Sequence, residues 1–280
     1  MNRYFELIQN IISFANRDER IAALIMIGSQ ARETKSADEF SDLDLILITS
    51  DTNWLVNSND WVSKIGKHYI TFVEKTIVSA DEKRVMFEGA LDVDFVIVSK
   101  DDAKRALASK EALEIFQNGY KILVDKTAIK AVIPNSIPLK PYVLPSEEIY
   151  INVVNDFWYH TIWTTKKLLR GELWAAKFCL DGYMKYKLLW MIEIYMHAKH
   201  GITYNTWFGG RFVDTWAEDE VTVHLATAFA HYERQDMIIA LKKTMDLFRR
   251  IAVQAAEKTK YIYPVEADEY ATHWVDRNLI

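Results

Sequence analysis

Residues 21–30, IAALIMIGSQ, and residues 41–51, SDLDLILITSD, decide the fold of the first half of this chain. Each stretch contains a continuous apolar run of strand length, and we predict a buried strand in each. In a strand, side chains two residues apart project from the same face, so Asp42 and Asp44 would stand about 6.6 Å apart on one face.

The carboxylates of Asp42 and Asp44 repel each other, which disfavours ionisation of both unless a cation lies between them. A hard ion such as Mg²⁺ commonly binds one or two carboxylates together with substrate phosphates. Upstream, Gly28 permits a tight turn with room for a phosphate, and Ser29 can cap a short helix that continues through Arg32. Because a helix N-terminus offers N–H groups to an anion, this stretch predicts a site for a metal and a nucleotide.

Composition narrows the class of protein. The chain has 280 residues, half of them hydrophobic, which predicts one or two well-packed domains. The net charge of −5 provides no basic surface for nucleic acid, and such mild acidity is common in cytosolic proteins but would also suit a cationic small molecule. The single cysteine, Cys179, has apolar neighbours and predicts packing. Without a visible signal peptide or membrane-length apolar run, we expect a soluble, cytoplasmic protein with no membrane partner.

A third acidic position begins another apolar strand. Residues 84–98 predict a hairpin that turns near Glu88 and Gly89, and Asp92 and Asp94 share one face of its second strand. Asp94 has apolar neighbours on both sides and is the better match to an acid within a buried strand. The other predicted elements of this half are helices over residues 4–16 and 101–117, a helical turn over 61–66, strands over 68–73 and 121–124, and a polar loop over 51–60.

The second half has a different pattern. Residues 131–145 hold four of the five prolines, Pro134, Pro138, Pro141 and Pro145, which suits neither a helix nor a central strand and indicates a linker. Long helices are predicted beyond it over residues 146–169, 172–199, 221–232, 235–260 and 266–278, and most of their tryptophans are expected in a core.

Two sets of residues resemble a known family. The combination of Gly28-Ser29, Asp42-X-Asp44 and Asp94 resembles the nucleotidyltransferase superfamily that includes DNA polymerase β and the kanamycin and streptomycin nucleotidyltransferases. In the helical half, residues 155–158, Asn-Asp-Phe-Trp, resemble the Asn-Glu-Phe-Trp motif of the aminoglycoside 6-adenylyltransferases. Further resemblance lies at Lys166, Arg170, Glu172, residues 188–191, Phe248-Arg249, Tyr263-Pro264 and residues 18–21, so it covers nearly the full chain.

The sequence also departs from this family. Gly28-Ser29-Gln30 stands where the family has Gly-Ser-Arg, and the first arginine after it is Arg32. A family acid in the second long helix aligns best with Phe178, and the nearest acid is Asp181. These differences lie near the expected nucleotide and acceptor sites, so they bear on the substrate and not on the type of reaction.

The resemblance implies an α+β protein in which an N-terminal nucleotidyltransferase domain, with a mixed β-sheet and helices, precedes an all-helical bundle. We expect the domains at residues 1–133 and 146–280, joined by a proline-rich linker at 134–145. The implied reaction is Mg²⁺-dependent transfer of AMP from ATP to a hydroxyl of an aminoglycoside such as streptomycin, with release of pyrophosphate and inactivation of the antibiotic.

The resemblance also implies roles for individual residues. Asp42 and Asp44 would hold one or two Mg²⁺ ions. Asp94 would be either the general base or a third metal ligand, and in the second case Asp181 or Glu172 would deprotonate the acceptor. The nucleotide contacts would be Gly28, Ser29, Arg32, Lys166 and Arg170, and the contacts to a cationic acceptor in a cleft between the domains would be Asp156, Glu172 and Asp181.

Two alternatives stay open. The acceptor could instead be a lincosamide, a metabolite or a protein side chain. The domain could also be a catalytically idle nucleotide-binding module, although one that only binds need not retain all three acids. A nucleic-acid polymerase is disfavoured by the acidic balance.

Overall fold

The computed structural model describes residues 3–32, 37–76, 79–134, 137 and 141–279. The chain divides into two compact units, residues 1–140 and 141–280, each with its own apolar core. The N-terminal unit is built on a mixed sheet with helices, and the regular elements described in the C-terminal unit are all helices. The predicted α+β class is confirmed.

The N-terminal unit contains one six-stranded sheet. The strands are β1 (Ile21–Ile27), β2 (Leu43–Thr49), β3 (His68–Lys75), β4 (Asp81–Phe87), β5 (Leu91–Ser99) and β6 (Lys121–Asp125). Their spatial order is β3-β4-β5-β2-β1-β6. The pair β2 and β5 is parallel, and the other neighbouring strands are antiparallel. The predicted hairpin is therefore formed by β4 and β5.

Helices pack on both faces of this sheet. They are α1 (Phe5–Arg17), α2 (Thr52–Asn57), α3 (Asp60–Ser63), α4 (Ala103–Leu107) and α5 (Lys110–Phe116). Alternate residues of β2 point to opposite faces. Leu43, Leu45 and Leu47 pack with α1, α2 and α3, whereas Ile46 and Ile48 belong to the core that includes α4 and α5.

Two local predictions in this unit are wrong. Residues 51–60 are not a loop throughout, because the Asp51 carboxylate accepts a hydrogen bond of 3.0 Å from the Trp54 amide and begins α2. Residues 101–117 form two helices instead of one, because the Ser109 hydroxyl accepts from the Ala112 amide at 3.2 Å and begins α5. The cap at Asp51 begins a helix inside a stretch with a polar, loop-like sequence. The cap at Ser109 begins a new helix inside a stretch with a continuous helical pattern.

The C-terminal unit consists of α6 (Glu147–Leu169), α7 (Leu173–Phe178), α8 (Met184–His200), α9 (Val213–Trp216), α10 (Asp219–Ala228), α11 (Arg234–Thr259) and α12 (Val265–Asn278). Ser146 caps α6 by accepting from the Ile149 amide at 3.3 Å. The helix predicted over residues 172–199 is interrupted by a π-helical turn at Cys179–Tyr183.

The tryptophans of this unit fall into two groups. Trp158 is buried and Trp163 and Trp190 pack against the core, as the sequence predicts. Trp174 is 68% exposed, so its predicted place in the core is wrong. It lies beside two other exposed rings, Phe178 and Tyr232.

Part of the predicted linker, residues 135–136 and 138–140 with Pro138, lies outside the described residues. Residues 141–146 have no regular secondary structure. Within the described ranges, no helix is long and apolar enough to cross a membrane.

Candidate active site

Three aspartates converge at one end of the central strands. Asp42 immediately precedes β2, and Asp44 lies in it. The parallel register pairs Asp44 with Asp94 of β5, so both side chains leave the same face at the same level. Asp42, Asp44 and Asp94 each present a carboxylate oxygen, and these oxygens all lie within 4.8 Å of one another. The structure thus brings together the three acids selected from the sequence, with Asp94 instead of Asp92.

Gly28 is required by the position of Asp44. Its φ of +67° is a conformation that residues with a side chain rarely adopt, and a Cβ atom there would lie 1.9 Å from Oδ2 of Asp44. The Asp44 carboxylate occupies the position that a side chain at residue 28 would take, where the sequence predicts room for a phosphate. Gly28 therefore lets β1 turn directly against the acid cluster.

Ser29 and Arg32 belong to the turn that follows. Residues Gly28–Gln30 form a single 3₁₀ turn, and the Arg32 amide donates to the Gly28 carbonyl at 3.2 Å. The prediction that Ser29 caps a helix is wrong, because its hydroxyl donates to the Asp42 carbonyl at 3.2 Å. This bond ties the turn to the segment that carries Asp42. Residues 33–36 lie outside the described part of the chain.

Asp94 is the most buried of the three acids, with 3% of its surface exposed. Its Oδ2 lies 3.2 Å from Nη2 of Arg84, whereas its buried Oδ1 has no hydrogen-bond partner among the described residues. Burial raises the pKa of Asp94 to about 7, an effect that the Arg84 guanidinium opposes and that the neighbouring Asp92, Glu82 and Asp44 carboxylates reinforce. Asp94 thus has an unused acceptor oxygen, and burial raises its pKa towards the physiological range.

Arg84 is a site residue that the sequence reasoning missed. It lies directly opposite Asp94 in the β4–β5 pairing, and its Nε is 2.7 Å from Oε1 of Glu74 on β3. The signal for it was present, because a hairpin that turns near Glu88 and Gly89 places residue 84 across from residue 94. Arg84 holds Oδ2 of Asp94, and Oδ1 is left without a hydrogen bond among the described residues.

The donor set fits a hard divalent cation. Carboxylate oxygens are the ligands that Mg²⁺ prefers, and three of them converge here without a cationic side chain at the Oδ1 atom of Asp94. A buried acceptor atom without a partner costs about 1–3 kcal/mol, which a bound cation would relieve. Asp42, Asp44 and Asp94 could therefore hold such an ion.

A family model described as streptomycin adenylyltransferase matches residues 1–278. The chain belongs to the streptomycin adenylyltransferase family. The protein is accordingly an enzyme of the nucleotidyltransferase class.

Several relatives of this family are similar over almost their whole length. An aminoglycoside 6-adenylyltransferase of Campylobacter jejuni is 24% identical, with 97% of this chain and 94% of that protein covered. One from Bacillus subtilis strain 168 is 23% identical, with 97% and 96% covered. A crystal structure of an aminoglycoside 6-adenyltransferase from Bacillus subtilis aligns with a TM-score of 0.48 at 19% identity and covers 99% of this chain and 98% of its own.

Three family-like residues, Trp158, Arg249 and Tyr263, belong to a partly buried network around Asp268. Arg249 of α11 donates through Nε and Nη2 to the two carboxylate oxygens of Asp268, each at 2.7 Å. Tyr263 donates to Asp268 at 2.7 Å and accepts from the indole N–H of Trp158 at 3.1 Å. Every polar group in this network has a partner, and it joins α6, α11 and α12.

The three acids predicted to bind the acceptor are each paired with cations. Asp156 lies 2.7 Å from Nζ of Lys187 and also accepts from Tyr183 at 2.7 Å. Burial alone would raise the pKa of Asp156, but hydrogen bonds from Lys187 and Tyr183 outweigh it, and the pKa is lowered. Its contact with Nδ1 of His160 is also 2.7 Å.

Glu172 and Asp181 are paired in the same way. Glu172 accepts from Lys167 at 2.5 Å and lies 2.7 Å from Nε of Arg170. Asp181 forms ion pairs with Lys177 and, at 3.3 Å, with Lys185. Their role in binding the acceptor stays a prediction, and the structure adds that each is locally neutralised.

Lys166 and Arg170, which are predicted to contact the nucleotide, have different neighbours. Lys166 is exposed on α6, and its Nζ lies 5.7 Å from the centroid of the Trp274 ring. Arg170 is 71% exposed and is paired with Glu172. Both can reach solvent, and their contact with a nucleotide stays a prediction.

Proposed function

We propose that this protein transfers AMP from ATP to a hydroxyl of an aminoglycoside such as streptomycin, in a Mg²⁺-dependent reaction that releases pyrophosphate. The observation that carries the proposal is the convergence of Asp42, Asp44 and Asp94, with one oxygen of Asp94 unpartnered. Membership of the family and the names of the relatives support the acceptor class.

The reaction needs one displacement at phosphorus. The acceptor oxygen forms a bond to the α-phosphorus of ATP as the bond from that phosphorus to the bridging oxygen breaks, and pyrophosphate leaves with the electron pair. When bound, Mg²⁺ supplies neutralisation of the phosphate charge. Positioning and electrostatic stabilisation account for most of the catalysis in such reactions.

Asp42 and Asp44 would hold the cation in this proposal. Gly28 keeps the Asp44 carboxylate in place by leaving no side chain against it. The Ser29 hydroxyl, bonded to the Asp42 carbonyl, fixes the backbone from which the first carboxylate projects. Asp42 and Asp44 would thus be positioned before the nucleotide arrives, which lowers the entropic cost of the reaction.

With Asp42 and Asp44 holding the cation, Asp94 would take the proton of the acceptor hydroxyl. Where Asp94 is instead a third ligand of the cation, Asp181 or Glu172 would take that proton. A general base works best when its pKa is near the working pH, and burial raises the pKa of Asp94 to about 7. The oxygen that receives the proton would be Oδ1, because Oδ2 is held by Arg84. Arg84 is a positioning residue in this scheme.

The helical unit would supply the remaining contacts. Lys166 and Arg170 are proposed to bind phosphate oxygens, which Lys and Arg do by charge-assisted hydrogen bonds. Asp156, Glu172 and Asp181 would bind cationic groups of the acceptor. For that to occur, ammonium or guanidinium groups of the acceptor would have to replace the lysine or arginine partners that these acids have in the structure.

The experiment is an assay of purified protein with ATP, MgCl₂ and a panel of aminoglycosides, with pyrophosphate release and product mass as readouts. We expect streptomycin or a related compound to gain the mass of one AMP group. Omission of MgCl₂ should remove the product. If no aminoglycoside gains a nucleotide, the proposed acceptor class is wrong.

A second acceptor class is an uncharged or singly charged amphiphile such as a lincosamide. One observation favours it, namely that Asp156, Glu172 and Asp181 are each neutralised by a side chain of the protein. Lincosamides therefore belong in the same panel, with the same product-mass readout.

A further inference from the structure

The six-stranded sheet has two edge strands, β3 and β6, which differ in what they expose. In β6 the apolar residues are buried or partly buried in the cores on the two faces of the sheet, and they are Ile122, Leu123 and Val124. In β3 four apolar side chains are between 41% and 62% exposed, namely Tyr69, Ile70, Phe72 and Val73. The edge at β3 is therefore an apolar surface on both faces of the sheet.

Charged side chains protect this edge only weakly against pairing with another strand. Proteins commonly place unpaired lysines along an edge strand to prevent such pairing. Near the ends of β3 the charges are paired within the chain, Lys67 with Glu88 at 2.8 Å, Lys75 with Asp81 at 2.6 Å and Glu74 with Arg84 at 2.7 Å. Residues 69–73 between them carry no charged side chain.

The backbone of β3 also has hydrogen-bonding groups that point away from the sheet. The pairing with β4 is regular from Ile70 to Lys75. Just beyond it, the Thr76 amide donates to the Ala80 carbonyl at 2.9 Å, so the residues that bond to β4 alternate back from 76 through 74 and 72 to 70. Thr71 and Val73 therefore direct their N–H and C=O groups to the open edge.

The sequence of β3 is self-complementary in one antiparallel register. When Thr71 lies opposite Thr71 of a second copy of the chain, Ile70 faces Phe72 of that copy, and Tyr69 comes beside Val73. Two-fold symmetry repeats both contacts, so all four exposed apolar side chains meet apolar partners. Because the backbone groups of Thr71 point outward, the two Thr71 residues can exchange hydrogen bonds in this register.

The neighbouring register is less favourable. With Phe72 on the two-fold axis, Ile70 would face Glu74 of the second copy and lose its apolar partner. With Thr71 on the axis, Lys67 comes near Lys75 of the second copy, but each of these lysines is already neutralised by an acid of its own chain. The register centred on Thr71 is therefore preferred.

We propose that this protein forms a two-fold symmetric dimer in which β3 pairs antiparallel with β3 of a second copy, with Thr71 on the axis. The two sheets then form one continuous sheet. Burial of the exposed apolar side chains and pairing of the outward backbone groups stabilise the dimer. The inference is independent of the proposed function, because it uses none of the three acids of the cluster.

Sedimentation equilibrium of the full-length protein tests the oligomeric state. Over about 1–200 µM, the range in which a small interface dissociates, the average mass should rise towards twice the 32.6 kDa of one chain. Phe72→Lys should raise the dissociation constant of the dimer at least about 100-fold, because the change occurs twice across the axis and each time removes a buried ring. The matched control Phe5→Lys changes an exposed phenylalanine on α1 and should leave the dissociation constant within about twofold.

Disulfide cross-linking tests the register. Ile70 and Phe72 of the second copy form a non-hydrogen-bonded pair with a Cα separation of about 4.5 Å, within the disulfide range of about 4.4–6.8 Å. A mixture of Ile70→Cys and Phe72→Cys proteins should therefore form a mixed disulfide under mild oxidation, whereas neither variant alone should cross-link. The native Cys179 is buried and gives little background.

Three results would overturn the inference. The first is the mass of a single chain at every concentration, which would leave β3 to a partner of another kind. The second is a dimer that Phe72→Lys does not weaken, since that dimer would form through another surface. The third is the absence of the mixed disulfide. If circular dichroism shows that Phe72→Lys does not fold, Ile70→Lys tests the same contact from its other side.

Discussion

Three acids of the N-terminal unit and one acid of the helical unit, Asp268, differ in how their oxygens are used. In the N-terminal unit, Asp42, Asp44 and Asp94 converge on one another, and Oδ1 of Asp94 is buried without a partner. In the helical unit, both oxygens of Asp268 are bonded to Arg249, and Tyr263 adds a third bond. The unpartnered buried oxygen of Asp94 lowers the free energy of unfolding, whereas the bonds to Asp268 raise it. An acid with unused bonding capacity is therefore the better candidate for function.

The largest expected effect is on catalysis by Asp42→Asn. This change retains the shape of the side chain and removes its charge, so turnover should fall by roughly 10³-fold or more while the melting temperature changes little. Product mass and pyrophosphate release measure the turnover. A rate near that of the wild type would remove Asp42 from the metal site.

The comparison predicts that removing the carboxylate of Asp268 and removing that of Asp94 change the free energy of unfolding in opposite directions. Asp268→Ala removes the acceptor of two Arg249 bonds and of the Tyr263 bond and leaves Arg249 only its contacts with Asp246 and Thr272, so it should lower the free energy of unfolding by about 1.5–3 kcal/mol. Asp94→Asn removes a buried charge that has one unpartnered oxygen, and it should raise the free energy of unfolding at pH 8. Urea titrations of both variants measure the difference, and a loss of stability in Asp94→Asn at pH 8 would contradict the contrast.

The direction in which the pKa of Asp94 is shifted determines how this residue makes the stability of the protein depend on pH. Its pKa in the folded protein is raised to about 7, so the folded state binds the proton more tightly than the unfolded state. The contribution of Asp94 to stability is thus fully present below its unfolded pKa near 4 and is lost as the pH rises through about 7. Without divalent cations, the wild-type protein should lose stability between pH 5 and pH 8 relative to Asp94→Asn. Parallel curves for the two proteins would contradict this reading.

A smaller effect is expected from Arg84→Met. Arg84 lowers the pKa of Asp94 against the effect of burial, so its removal should raise that pKa further. The rise of kcat/KM with pH should then move to higher pH, and kcat/KM at pH 7 should fall by about 10- to 100-fold. Arg84→Lys retains the charge and should recover part of the loss. If the dependence of kcat/KM on pH does not shift in Arg84→Met, Arg84 does not act through Asp94.

The smallest effect is expected from Asp156→Asn. The side chains of Asp156 and Lys187 are 21% and 19% exposed, and asparagine retains the size of the side chain and an acceptor oxygen, so the free energy of unfolding should fall by only about 1 kcal/mol. If Asp156 binds the acceptor, the KM for the acceptor rises severalfold and kcat is retained. An unchanged KM would place Asp156 with the structural acids of the helical unit.

The sequence predicted the acids of the N-terminal unit because their signal is local. The two-residue period puts Asp42 with Asp44, and the apolar run Phe95-Val96-Ile97 that follows Asp94 makes it a better match to a buried strand than Asp92. The pairing of Asp44 with Asp94 is not local, since it depends on a parallel register between strands far apart in the chain. The family resemblance supplied that link before the structure did.

Other features depended on contacts that no local pattern carries. The cations that pair with Glu172 and Asp181 lie within five residues of them in the chain, but the bond from the Ala230 amide to Asp181 arises only when α10 and α11 are in place. The exposure of Trp174 likewise follows from packing between elements. The side-chain caps at Asp51 and Ser109 are local features of the sequence, but the pattern of polar and apolar residues around them favoured a loop and a single helix.

The parallel pairing of β2 with β5 has a consequence for the order of folding. The hairpin of β3 and β4 lies between these strands in the chain, so the long connection must close before Asp44 and Asp94 can meet. Formation of this pair also brings like charges together, which slows the step when no cation is present. On refolding, we expect the helical circular dichroism signal to recover before enzymatic activity does, and added Mg²⁺ to shorten the interval between them.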